Sequence, residues 1–392
     1  MIDPIRLTVA PAPAWAVPVV PRRRFPIFEV VLGALGLACV ALSVLGYLAL
    51  ADAYSVGHVA VLALGPLGVV VLVMRHLDRW EPEPARTLFA AFAWGAGVAI
   101  LIASLLNSAF LFGADAVLAD RSAAMRLTAV VSAPLVEETM KGLGLLLVVA
   151  WRRHEIHSIV DGVVYAGFAG AGFAFIENMQ YFLQASAESA TVLTVMVILR
   201  GVLSPFVHPM ATSFTGAALA WGVVRGRTGS GRLGVAVLGW CAAVLVHGLW
   251  NLLGSSADPT VWLTSYVLVE LPLFLAWLAA VLALSSADAK RIRRGLAAYV
   301  AGGWVLPAEI EMASSSSARR NARVWARTGG PDAERAMGSL LVELAALGLD
   351  QGIQERLGAR SERLERDRAL LASATAHRSE LIAALSSRGG SR

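Results

Sequence analysis

The chain has 392 residues, 57% of them hydrophobic, with a mean hydropathy of +0.65 and a formal charge of +5. Several apolar runs exceed the roughly 20 residues that a helix needs to cross a bilayer, which excludes an ordinary soluble domain. The positive charge is mostly arginine at helix ends and in the tail, without a basic stripe interleaved with aromatics, so no nucleic-acid surface is expected; Cys39 and Cys241 fall inside apolar runs and suggest neither a disulfide framework nor a thiolate zinc site.

Residues 1–26 carry six prolines, and their apolar part precedes Arg22-Arg23-Arg24. A signal peptide has the opposite order and an unbroken apolar core, so a disordered cytoplasmic leader is expected. Span 1 is expected at 27–51 and span 2 at 56–74, joined by a loop without Lys or Arg. The connection from Arg75 to Arg86 has three arginines and two prolines and should face the cytoplasm. Span 3 (87–113) leads through Asp115, Asp120 and Arg121 to span 4 (127–150), which ends at Trp151-Arg152-Arg153. Span 5 (159–183) bears Gly162, Gly167, Gly170 and Gly172, small residues that let membrane helices approach closely, and Asp161 should cap it.

The stretch 190–224 is too long for one simple span and holds Arg200, Pro205, His208 and Pro209. It predicts a short, partly inserted segment followed by span 6 from about residue 202, with Arg200 as an anchor at the outer interface. Span 7 (233–253) and span 8 (260–285) follow, then a basic junction from Lys290 to Arg294. The positions of Arg and Lys in alternate loops put both termini on the cytoplasmic side of a plasma membrane, and the Arg-rich, Lys-poor usage suggests a bacterium. The expected fold is all-α, a polytopic transmembrane bundle of about eight spans (27–285) with a soluble helical tail (286–392). In the tail, a Ser-rich linker at Ser314–Ser317 precedes helical patterns at 331–348 and 351–385, a hairpin or a surface for a cytoplasmic partner.

Four spans carry ionisable or coordinating groups at buried depth. Span 4 holds Glu137, Glu138 and Lys141, although a single charge there costs roughly 2.5–3.5 kcal/mol on insertion scales. Lys141 lies four residues after Glu137 and three after Glu138, so it can pair with either and leave the other for a metal, a water or a proton. Glu177 is on span 5, His208 on span 6, and His247 with Asn251 on span 7. Taken singly, each histidine reads as a hydrogen-bonded core residue and the Glu-Glu-x-x-Lys motif as a structural ion pair. Together, two imidazoles and several carboxylates form a donor set suited to Zn²⁺ with an open position, where a remaining Glu can take a proton from water. At a rise of roughly 1.5 Å per residue, Glu177, His208 and His247 fall in the extracytoplasmic half of their spans. Glu270, before Pro272, has no visible partner, and His154-Glu-Ile-His157 has the wrong spacing for a zinc helix motif.

At these residues the sequence resembles the PrsW family of intramembrane metalloproteases. The resemblance covers about residues 70–256 and rests on Asp78-Arg-Trp-Glu-Pro-Glu-Pro84, Glu137-Glu138-x-x-Lys141, Asp161-Gly162, Phe173-x-x-x-Glu177-Asn178, His208-x-x-x-Thr212 and His247-x-x-x-Asn251. It implies a zinc-dependent endopeptidase that cuts a single-pass membrane protein, such as an anti-sigma factor, on the extracytoplasmic side. By position it implies a base from the Glu137/Glu138 pair, Glu177, His208 and His247 as metal ligands, Lys141 as the ion-pair partner, and Asn251 as a ligand or oxyanion donor. Glutamate-only hydrolysis is the alternative to a metal. A proton-coupled transporter and a catalytically idle scaffold are the competing functions.

Overall fold

The computed structural model describes residues 26–256, 258–358 and 361–389, so the expected leader, Pro26 apart, lies outside the described residues. Every regular element among them is helical. They divide into two units, one of residues 26–78 and 83–282, the other of 79–82 and 283–389.

The first unit begins with two apolar helices, α1 (Ile27–Leu50) and α2 (Ala53–Leu77). The Asp52 side chain caps α2 by accepting from the Ser55 N–H at 3.0 Å, as the first turn of a helix requires. Leu35, Leu45, Leu64 and Leu72 stay exposed on these helices, a surface that suits lipid. Next come α3 (Ala85–Ala93), a π turn (Trp94–Ala99) and α4 (Ile100–Leu118), which form one continuous rod. A second rod is built from α5 (Arg121–Leu127), a π turn (Thr128–Ser132) and α6 (Ala133–Arg152). Ser158 and Asp161 cap α7 (Ile159–Glu188) reciprocally: the Ser158 hydroxyl accepts from the Val160 N–H, and Asp161 accepts from the His157 and Ser158 N–H groups.

The long stretch from 190 is broken as its prolines suggest. Helix α8 (Ala190–Val197) and a π turn (Ile198–Leu203) stop at Ser204-Pro205-Phe206, and α9 (Val207–Val224) starts afresh, five residues later than expected from the sequence. Thr228 caps α10 (Gly229–Gly254), and α11 (Pro259–Ser265) runs through a π turn (Tyr266–Glu270) into α12 (Leu271–Val300). Gly162 of α7 and Gly216 of α9 face each other so closely that a Cβ on either would overlap the other's carbonyl oxygen. A Cβ on Gly170 would likewise meet the backbone of His208 and Pro209, so this contact sets how near α9 brings His208 to α7.

Among the described residues, eight helical stretches are long and apolar enough to cross a membrane. They are not the eight expected. Residues 121–152 are not among them, since Glu137, Glu138 and Lys141 put three charges in one apolar run, whereas Pro331–Leu357 qualifies. Helix α6 nevertheless packs among α4, α7, α9 and α10 with those three groups buried, so a span can be polar where protein rather than lipid surrounds it.

The second unit packs the end of α12 with α13 (Pro307–Ser314), α14 (Ser316–Arg327), α15 (Pro331–Leu357) and α16 (Ser361–Gly389). Trp80, Ile292, Leu296, Leu340, Leu344 and Leu381 share its core, and the Trp80 indole donates to the Ser285 carbonyl at 2.9 Å. The apolar face of α15 is thus covered by protein. Ser314–Ser317 is not a linker: Ser315 is the joint between α13 and α14, and its hydroxyl accepts from the Ala318 N–H. Serines favour caps as well as flexible segments, and composition alone does not separate the two.

Candidate active site

Glu138 is the anchor. It is wholly buried, and its two oxygens accept from the Lys141 ammonium at 2.7 Å, the Thr212 hydroxyl at 2.8 Å and His247 Nδ1 at 3.0 Å. Three helices are tied to one carboxylate. Lys141, also wholly buried, reaches His208 Nδ1 at 2.9 Å and lies 4.0 Å from the Phe173 ring centre, where a compact ammonium gains a cation–π contact.

His208 Nε2 lies 2.7 Å from Glu177 Oε2. A carboxylate only accepts, so Nε2 carries the proton and Nδ1 presents its lone pair toward Lys141 and Glu137. The same reasoning makes His247 Nδ1 the donor to Glu138 and turns Nε2 toward Glu137. The two rings stand edge to face, 5.0 Å apart.

Glu137 is placed differently from the other two glutamates. Its Oε1 accepts from the Asn107 amide at 3.4 Å, and Asn107 is itself held by the Ser132 hydroxyl at 2.9 Å. Its Oε2 is buried without a hydrogen-bond partner, 3.7 Å from Lys141 Nζ, 3.8 Å from His247 Nε2 and 3.9 Å from His208 Nδ1. Of the described residues, Glu137, His208 and His247 form a group whose donor atoms all lie within 4.8 Å of one another. Ions held at roughly 2.0–2.2 Å need donor separations of about 3.4 Å when tetrahedral; the two Glu137–imidazole distances exceed that by a few tenths of an ångström, and the 4.8 Å bound on the whole group leaves up to about 1.4 Å to close.

Residues 83–277 match the model of the PrsW family of intramembrane metalloproteases. Protease PrsW of Clostridioides difficile (strain 630) is 31% identical over 192 residues, which cover 48% of this chain and 76% of that protein. The chain belongs to the PrsW family. It is a multi-pass membrane protein and a peptide hydrolase of the intramembrane kind. Protease PrsW of Geobacillus kaustophilus (strain HTA426) is 29% identical over 124 residues, 31% of this chain and 52% of that protein. No solved structure matches. The family match takes in every residue of the site and stops before α13, so the helices α13–α16 are additional to it.

Within this PrsW-family site, Glu177 stands outside the group around Glu137. Its carboxylate is engaged by His208 and by the Arg200 guanidinium, which also donates to Asn178 Oδ1 at 2.8 Å and stacks on Tyr181. Arg200 is therefore a carboxylate clamp rather than an interface anchor, because the π turn Ile198–Leu203 carries it onto α7. The Asn251 amide donates to the Ala129 carbonyl at 2.8 Å and lines a cavity of about 370 Å³ shared with Glu137, Glu177, His208 and His247. Asn107 was not singled out in the sequence, although an amide inside the apolar run of span 3 was the signal for it.

Proposed function

We propose that this chain is a zinc-dependent endopeptidase that cuts a single-pass membrane protein, with Glu137, His208 and His247 holding the ion. The observation that carries the reading is the partnerless Glu137 Oε2 facing two imidazole nitrogens whose far N–H groups are each held by a carboxylate. Carboxylates behind metal-binding imidazoles fix their tautomer and orientation. Glu177 therefore orients His208, in place of the ligand role that the resemblance suggested, and Glu138 orients His247. Lys141 holds the His208 Nδ1 lone pair and would withdraw to its bond with Glu138 when that nitrogen ligates.

When bound, zinc would supply a polarised water and a positive centre for the developing oxyanion. Glu138 and Glu177 are already engaged by donors, so the base is Glu137: with Oε2 turned to the ion, its Oε1, held by the long 3.4 Å bond from the Asn107 amide, keeps a lone pair to take the proton. Asn251, whose amide keeps a second N–H beyond its bond to Ala129, is the oxyanion donor. The charge bias of the loops favours cytoplasmic termini in a bacterial plasma membrane and a site reached from the extracytoplasmic half, which suits a substrate such as an anti-sigma factor. The helices α13–α16 are available to a cytoplasmic partner.

Metal analysis of detergent-purified protein, with cleavage of a single-pass reporter in the same samples, tests this. About one zinc per chain is expected in the wild type, lost together with cleavage in His208→Ala and His247→Ala. Cleavage intact without metal would transfer the chemistry to glutamate alone.

A further inference from the structure

Glu270 is the one carboxylate of the cavity that the proposed chemistry leaves unused. It ends the π turn Tyr266–Glu270, is 3% exposed, and its Oε1 is buried without a hydrogen-bond partner. It lines the same cavity as Glu137 and His208. The cationic side chain in that lining, Arg200, is already committed to Glu177, Asn178 and the Tyr181 ring. Glu270 is therefore an uncompensated acidic group in the wall of the cavity that Glu137 and the two imidazoles share.

The surroundings indicate what would compensate it. Trp262 and Tyr266 stack at 5.6 Å with 13° between their planes, and both line the cavity with Glu270. The Tyr266 hydroxyl is tied to the Leu203 carbonyl at 3.0 Å, so it is a fixed wall whose donor is already used. Aromatic faces take the stem and charge of a lysine or arginine, and a carboxylate at the end takes the cationic head. A neutral amide N–H would satisfy one oxygen but leave the charge unbalanced.

We propose that Glu270, with Trp262 and Tyr266, forms a subsite for a basic side chain of the substrate and so helps to choose where the chain is cut. This rests on the protease reading of the same cavity. The subsite sits on the π turn between α11 and α12, about 11 residues into the rod that starts at Pro259, or roughly 17 Å along it at the rise of a helix. A basic residue set within the substrate's membrane segment, rather than in its charged flank, is the one that would reach it.

Binding and cleavage separate the two readings. Single-pass reporters carrying one Lys, Gln or Glu at successive positions are titrated against the full-length Glu137→Gln chain in micelles, and cut by the chain with Glu137 intact. At one register the Lys reporter is expected to bind roughly tenfold more tightly than its Gln counterpart, the scale of one desolvated charge pair. Glu270→Gln should bring that ratio to about one, Glu270→Asp should keep its sign, and Glu270→Arg should favour the Glu reporter. A Lys preference that survives Glu270→Gln, or that no register shows, overturns the subsite. Preferential binding without cleavage of any reporter would keep the subsite and sink the protease reading; cleavage without preference would do the reverse.

Discussion

A buried ammonium with three kinds of partner makes Lys141 the residue on which the centre depends. It meets Glu138, His208 and the Phe173 face at once. Removing it leaves Glu138 buried beside only neutral donors, a loss of roughly 3–5 kcal/mol for breaking a buried pair. Lys141→Met is therefore expected to lower the thermal unfolding temperature in detergent and to abolish cleavage. Lys141→Arg should not rescue it, because a planar guanidinium is too wide for the space between ring and carboxylate. Unchanged unfolding in Lys141→Met would show that Glu138 is not held as an ion pair.

Helix contacts carry that centre, and they are set by atoms that are absent. Where Gly162 meets Gly216, a methyl group must push α7 from α9, and His208 moves with α9. Gly162→Ala is expected to destabilise the protein and to cost cleavage at least tenfold, since a displacement of about 1 Å at a reacting geometry costs about a hundredfold. Gly68→Ala in α2, where a Cβ meets nothing within 4 Å, should be neutral or slightly stabilising. Equal behaviour of the two variants would remove the argument that close approach of α7 and α9 positions the site.

The same distinction governs what could be read in advance at this scale. The Glu-Glu-x-x-Lys arrangement was legible because three- and four-residue spacings fix neighbours on one helix. The engagement of Glu177 was not legible, because its partner Arg200 lies on another helix, across a π turn that no spacing rule announces. Residues 121–152 show the complementary limit: three charges interrupt their apolar run, yet those polar groups are covered by α4, α7, α9 and α10.

At the scale of the whole molecule, the second unit has an electrostatic centre of its own. Asp350 is wholly buried and paired with Arg363, and Asp367 beside it is 5% exposed with one oxygen unpartnered. Burial, then the Asp350 charge, pushes the Asp367 carboxyl up to about 8. Such a group holds its proton in the folded state and releases it in the unfolded one, so its contribution is fully present below the ordinary carboxylate range and is lost as pH rises toward 8. Hydrogen exchange in the full chain should show α15 and α16 better protected at pH 5.5 than at pH 8.5, after correction for intrinsic rates. Asp367→Asn should flatten that difference. Greater protection at the alkaline end would contradict the assignment.

By itself the sequence determined the class of this protein as a helical membrane bundle, the break in the 190–224 stretch and the helical spacing of its buried polar groups. These follow from hydropathy, proline and helical spacing, which act within one segment. Only the tertiary structure decided which glutamate is left free, which two carboxylates hold the imidazoles, and that Arg200 and Glu270 face one cavity. Those roles depend on distances between helices, and such distances are set by glycine contacts, π turns and the pairing of buried charges across the bundle.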